Sequence, residues 1–217
     1  GDVYKRQSTY KIIHGENTGD TEYFKKGFAS DEEREAYEAE LCATVEAEGA
    51  ALLKNENNAL PLANGAKVSL FGHGSVDLMY GGTGSGSVDT SKAPNLKQAL
   101  EAQGITINQT LWDLYSSDSM MSKYSRMTPA SISDTLEANT QYAVNEAPWS
   151  ALSSAESSFA EYGDAAIVVL SRSGGEGADL PSGENGTSDN WISGQEGDGN
   201  YLALSAEELS LIHISEP

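Results

Sequence analysis

The sequence predicts an α/β fold: an open, mainly parallel sheet with helices on both faces, an α/β sandwich that the ends of the chain cut short. Three observations predict it. Apolar strand-like runs alternate with helical patterns along the chain, which is the signature of a doubly wound layer. The stretch from Val68 to Ile107 reads as strand, loop, helix and strand, and such crossovers make parallel pairs. Ala165 to Leu170 is an unbroken apolar run without alternation, as expected of a central parallel strand covered on both faces.

The elements follow in order. Residues 8–29 are polar, glycine-containing and aperiodic, and read as an extended lead-in. Ser30 to Glu33 is a capping box: Ser30 caps, and Glu33 reaches back. Tyr37, Leu41 and Val45 then recur at four-residue spacing and mark one buried face of a helix that runs to about Glu48. Cys42 lies beside that stripe and reads as a small buried thiol. After the short apolar run 50–53, Lys54 to Asn58 is turn chemistry.

Val68 to Phe71 is a strand that breaks at Gly72, and a glycine-rich loop from Gly81 to Gly86 follows. Residues 95–103 read as a helix with Leu96, Ala99 and Leu100 on one face and Gly104 as its stop. Ile105 to Ile107 is the next strand, and Thr110 to Tyr115 starts another helix. Residues 116–133 are rich in serine and methionine and read as helix and loop. Ser153 to Glu156 is a second capping box, opening a helix to about Tyr162. Gly163 and Asp164 turn into the Ala165 strand, residues 182–200 read as a surface loop, and Ser205 to Glu208 is a third capping box.

Both ends read as foreign. Residues 1–7 back-translate to the end of a transposon-based sequencing adapter, and residues 209–217 to the same adapter on the opposite strand. Such scars are set aside before fold reasoning. The expected organisation is adapter over 1–7, lead-in over 8–29, a partial α/β sandwich domain over 30–208, and adapter over 209–217. The helix that the third capping box opens is then one that the adapter interrupts.

Setting the scars aside removes two basic and two acidic residues, so the net charge stays at −20. That charge repels phosphate backbones and anionic membrane surfaces, which argues against nucleic acid and membrane partners. A neutral small molecule is compatible with it. Cys42 is the only cysteine, so no internal disulfide reports a redox compartment. No run of 18 apolar residues occurs, and localisation is open.

In an open parallel sheet, ligands bind at the carboxyl ends of the strands. Two glycine-rich polar loops leave strand ends here, one after Phe71 and one after Leu170 that runs from Ser171 to Asp179. If both strands run parallel, the loops lie on one edge and share a cleft. The first loop is not a nucleotide fingerprint: its glycines at 82, 84 and 86 have the wrong spacing, and no Gly-Lys-Ser/Thr follows. In the second, the glycines around Glu176 leave its carboxylate on a loop that can approach a ligand closely. A general acid for a glycosidic oxygen needs such a carboxyl with a raised pKa. Asp179 is a neighbour able to position the loop. His73, two residues past the strand, is placed to line the same cleft, although packing is the commoner fate of such a histidine. From this segment alone a turn glutamate is the commoner reading of Glu176; it is the catalytic candidate, and Asp179, Arg172 and His73 are the substrate-binding ones. No metal-ligand cluster, cofactor motif, Gly-x-Ser-x-Gly elbow or Cys/His pair is present.

Taken together, the stretches from Glu48 to Leu62, Val68 to Gly72, Gly81 to Val88, Ala165 to Asp179 and Tyr201 to Ser205 resemble glycoside hydrolase family 3, the β-glucosidase and β-xylosidase group. The resemblance covers about Leu41 to Glu208. It implies retaining hydrolysis of β-glucosides or related β-glycosides without a cofactor. It also implies a (β/α)8 barrel elsewhere in the protein that carries the nucleophilic aspartate. The sandwich of many members supplies the acid/base from a Ser-Gly-Glu-Gly-aromatic-Asp-Arg loop, and Glu176 and Asp179 fall on its glutamate and aspartate. Ala178 and Leu180 depart from that pattern, where an aromatic residue and arginine are common. The lead-in resembles members in which the sandwich precedes the barrel. On this reading the isolated fragment is inactive. A non-catalytic carbohydrate-binding or interaction module on the same fold is the alternative.

Overall fold

The computed structural model describes residues 27–82, 84–126, 144–172, 174 and 201–215. The chain divides into two compact units, residues 1–59 and 60–217.

The first unit is built on helix α1 (Asp31–Gly49). Ser30 caps it as expected, its hydroxyl accepting from Glu33 N at 3.2 Å, while the Glu33 carboxylate reaches back to Ala29 N at 2.6 Å. The expected buried face is not found. Tyr37, Leu41 and Val45 are exposed, and Cys42 is exposed with them. Among the described residues the unit offers no second layer against the stripe, and the Phe28 ring packs against Tyr37. Past the helix, Asn57 and Asn58 adopt left-handed backbone in the expected turn, a conformation that asparagine tolerates better than most residues.

The second unit holds a three-stranded parallel sheet in the order β2-β1-β3, with β1 (Lys67–Phe71) between β2 (Thr106–Ile107) and β3 (Ala165–Val168). Helix α2 (Leu96–Ala102) carries the β1–β2 crossover. It opens with a complete Asn95–Gln98 capping box and ends at Gly104, whose φ of 80° lies in the left-handed region. Helices α3 (Gln109–Tyr115) and α4 (Asp118–Tyr124) follow β2, each capped by a side chain, Asn108 and Ser117.

Alternation along β1 builds two cores on opposite faces. Val68 and Leu70 pack with Ile105 and Ile107, and with the half-buried Leu96, Leu100 and Trp112. Phe71 faces the other way into Leu111, Tyr115, Met120, Leu152 and Leu211. Buried Asn108 ties the layers: its amide donates to Ser69 Oγ at 3.0 Å and to Ser158 Oγ at 2.9 Å, and its carbonyl accepts from Leu111 N.

Three expectations need correction. The central strand is β1, buried from Val68 onward, whereas β3 lies at the edge and is only partly buried. Its apolar run suits a strand with a further neighbour, and the described residues supply none. The capping box at Ser153 opens no α-helix. Two short 3-10 turns, Trp149–Leu152 and Glu156–Ser158, stand there instead. The serines explain this, because Ser158 bonds its hydroxyl to Ala155 O and accepts from Asn108, contacts that compete with helical bonding. The expected stop at Glu208 is not seen: helix α5 (Ala206–Ser215) runs on through the residues that read as adapter, and Leu211 among them packs in the core.

Leu70→Ala should cost the second unit about 2–5 kcal/mol, because it empties a site that is 1% exposed. Leu53→Ala, at 94% exposure, should change stability by less than about 0.5 kcal/mol. Urea unfolding of the two variants reads the contrast, and equal losses would contradict the core assignment.

Candidate functional site

The carboxyl ends of β1 and β3 meet. Phe71 pairs with Val168, and the Val169 N–H donates to Phe71 O at 2.9 Å. Beyond that pair β1 turns sharply at Gly72, with φ 86°, into one 3-10 turn over His73–Ser75. A Cβ at position 72 would lie 2.7 Å from Val169 O, and one at 74 would lie 3.0 Å from the same oxygen and 3.2 Å from Ser171 Oγ. At position 72 only glycine permits this approach, whereas at 74 a side chain would fit only if its neighbours gave way by a few tenths of an ångström. The loops that leave β1 and β3 therefore share one edge of the sheet, as the topology required.

Side chains from the flanking segments fix the turn. The Gly72 N–H donates to the Tyr115 hydroxyl at 3.1 Å. Glu146 accepts from His73 N and from Ala147 N, each at 2.9 Å. His73 is buried, and its Nε2 contacts Val144 O at 2.8 Å. A carbonyl can only accept, so Nε2 carries the proton and the ring is the Nε2–H tautomer. His73 Nδ1, Ser75 Oγ and Ser171 Oγ are buried without a hydrogen-bond partner among the described residues. Arg126 reaches the loop after the turn, pairing with Asp77 Oδ1 at 2.9 Å and bonding to Asp77 O.

Arg172, the first charged residue past β3, spends its donors inside the chain. Its Nε donates to Tyr201 O at 2.7 Å. One terminal nitrogen donates to Ser171 O at 3.0 Å and Glu208 Oε1 at 2.7 Å, the other to Ala203 O at 2.6 Å and Glu208 Oε2 at 2.7 Å. The guanidinium carbon also lies 5.8 Å from the centre of the Tyr201 ring. Glu208 is buried, and the third capping box is complete: Ser205 N donates to Glu208 Oε2 at 2.8 Å, and Glu208 N donates to Ser205 Oγ at 3.1 Å.

His73 and Arg172 thus come to the predicted edge, but both are engaged in internal bonds. Glu176 and Asp179 lie outside the described residues. Sequence reading missed Tyr115, Glu146 and Glu208. Glu208 was visible as the last member of a capping box, yet nothing in that pattern announces a second bond to an arginine. Glu146 stands in an Asn-Glu-Ala-Pro stretch without periodicity, and no local signal marks it.

The described residues of this unit enclose concavities, two of which bear on the site. The 76–90 loop folds round one of about 310 Å³, next to the exit of β1 and lined mainly by Val76 to Gly82. The other, of about 340 Å³, lies on the Ser69/Phe71 face between Trp149, Phe159, Tyr162 and Leu211. Its lining includes none of the loop residues after β3, so the chemistry assigned to the sheet edge does not belong to it. Among the described residues no group of three His, Cys, Asp or Glu side chains could hold a metal, and no helix is long and apolar enough to cross a membrane.

Burial shapes the two ionisable groups at the turn in opposite ways. It pushes the Glu146 carboxyl up to about 7, against the two backbone N–H bonds that favour its charge. It pulls the His73 imidazole down to about 4. From about pH 4.5 to 7 the native chain keeps a Glu146 proton that the unfolded chain has released, so this group makes stability fall as pH rises. From about pH 4 to 6.5 the unfolded chain binds a His73 proton that the native chain refuses, so stability rises with pH. The two slopes oppose each other where they overlap. Glu146→Gln removes the falling one, so the variant should gain on the parent in thermal stability as pH rises from 4.5 to 7.5. A melting-temperature difference that stays flat over that range would contradict the assignment.

Comparison with known proteins gives a consistent result. The profile of the glycosyl hydrolase family 3 C-terminal domain matches residues 50–209. Beta-glucosidase A of Butyrivibrio fibrisolvens is 34% identical over 146 residues, which are 64% of this chain and 15% of that protein. Among solved structures, a β-glucosidase of Paenibacillus barengoltzii superposes with a TM-score of 0.54 at 26% identity, over 79% of this chain and 17% of its own. β-Glucosidase 3B of Thermotoga neapolitana superposes with a TM-score of 0.55 at 24% identity, over 83% of this chain and 22% of its own. The chain spans less than a quarter of the length of each of these three relatives. It belongs to glycosyl hydrolase family 3, and what it carries is that family's C-terminal domain.

Proposed function

We propose that the intact protein is a retaining β-glycosidase acting on β-glucosides or related sugars, and that this domain supplies the acid/base from the loop that leaves β3, with Glu176 in that role. The observation that carries the reading is the meeting of the β1 and β3 exits at one carboxyl edge. That edge is where an open parallel sheet presents its ligands, and Glu176 follows only four residues after Arg172, which sits on it. Family membership supplies the reaction class, and the relatives that match are named as β-glucosidases.

The chemistry needs two carboxyl groups. In a retaining enzyme, one attacks the anomeric carbon while the other protonates the departing oxygen. The second group then takes a proton from the water that releases the sugar. Glu176 fills the second role, and the nucleophile belongs to the barrel that the resemblance implies. The sandwich alone holds half of this pair, so residues 8–208 should turn over no glycoside.

Full-length protein should hydrolyse aryl β-glucosides, and inactivity across a β-glycoside panel would refute the reading. Glu176→Gln keeps the shape of the side chain but not its proton. Alkyl β-glucosides should lose about 10²–10⁴-fold in rate, whereas an activated phenol should lose much less in the first step. Azide needs no base and should restore part of the second step, yielding a β-glycosyl azide. Equal loss for all leaving groups without azide rescue would move the role to Asp179 or Glu184.

A further inference from the structure

We propose that the concavity between residues 76–82 and 87–90 seats the leaving group, and that its apolar wall makes the intact protein selective for β-glucosides of apolar alcohols and phenols over those of a second sugar. The inference rests on the glycosidase reading of the intact protein and names its substrate class.

The concavity opens from the carboxyl edge itself, because Val76 directly follows the 73–75 turn by which β1 leaves the sheet. Its volume of about 310 Å³ reaches that of small-molecule sites, which begin at about 300 Å³. The walls are fixed from within the chain. Arg126 holds one of them, pairing with Asp77 Oδ1 at 2.9 Å and bonding to the carbonyls of Asp77 and Leu78. The two arms of the loop touch at Gly81, where a Cβ would lie 2.5 Å from Gly86 O and 3.3 Å from Val88 Cγ2. The Tyr80 hydroxyl donates to Pro94 O at 2.9 Å, which anchors the ring. A site held in this way is formed before any ligand arrives.

The same bonds decide what the site can recognise. They engage the Asp77 carboxylate with Arg126 and the Tyr80 hydroxyl with a backbone carbonyl. The Tyr80 ring and Val88 line the space, 41% and 56% exposed, with Leu78 and Met79 half-buried beside them. A sugar entering here would bring several hydroxyls to this apolar wall, and each one left without a partner costs free energy. An alkyl or aryl group loses nothing and gains by leaving water. The net charge of −20 works against anionic leaving groups as well.

The test uses full-length protein with methyl β-glucoside, octyl β-glucoside and cellobiose. Methanol and octanol are leaving groups of similar acidity, so the ratio of kcat/KM for the two alkyl glucosides reads the seat of the chain rather than the chemistry. Octyl β-glucoside should exceed methyl β-glucoside by about 10²-fold, the discrimination that one or two methylenes give in an apolar pocket, and should also exceed cellobiose. Val88→Ser and Tyr80→Ser should each cut the octyl-to-methyl ratio by about tenfold, whereas Leu53→Ala should keep the parent's ratio. A parent ratio near one, a preference for cellobiose, or folded Val88 and Tyr80 variants with the parent's ratio would each overturn the inference while leaving the glycosidase reading intact. Calorimetric titration of the parent with the unreactive octyl and methyl β-thioglucosides needs no variant to fold, and equal affinities there overturn the inference too. If no β-glycoside is turned over, the glycosidase reading fails, and the inference fails with it.

Discussion

The close approach of two glycines to one carbonyl sets the geometry of the functional edge. Parallel pairing of β1 with β3 brings Phe71 opposite Val168, and one residue later the Val169 carbonyl faces Gly72 and Gly74. A side chain at position 72 would collide with that oxygen and would also demand a backbone conformation that L-residues avoid. The backbone of the β1 turn can therefore settle against the end of β3. Everything assigned to the edge follows from this contact: the shared exit of the two loops, the burial of His73, and the place where Arg172 leaves the sheet.

The chain solves the problem of buried charge at this edge in two ways. Glu146 is surrounded by backbone donors and held beside a neutral histidine, and burial prevails over hydrogen bonding, raising its pKa to about 7. Glu208 is given a cation instead, in a two-pronged bond that leaves its side chain 2% exposed. A buried pair of this kind gives little net stability but is costly to break on one side. It is also where this acidic domain commits one of its few arginines, since lysine and arginine together number 13 against 33 acidic residues.

How much of this could be read beforehand depended on the range of the interaction. Strand β1, the α2 crossover with its Asn95 cap and Gly104 stop, the parallel pairing and the Ser205 capping box are written in local patterns, and all were legible. The centrality of β3 was misjudged because hydrophobicity reports the environment a strand calls for, not the neighbour it has in the sheet. The Ser153 helix failed because one serine hydroxyl, that of Ser158, found partners near and far in sequence, Ala155 and Asn108, and competed with helical bonding. The stripe on α1 misled because periodicity marks a face without naming what covers it. Of the site, the edge itself was legible from topology. The bonds that hold it were not, because Tyr115 and Glu146 reach Gly72 and His73 across 43 and 73 residues.

In the proposed function, the sheet edge built by β1 and β3 delivers the acid/base of a glycosidase. A crystal structure of the intact enzyme, with an unreactive thioglycoside spanning the cleavage site, tests it most directly. The Glu176 carboxyl is expected within about 3 Å of the glycosidic sulfur, with Arg172 bonded to Tyr201, Ala203 and Glu208. A different carboxyl group at that atom, with Glu176 turned away from the cleft, would contradict it.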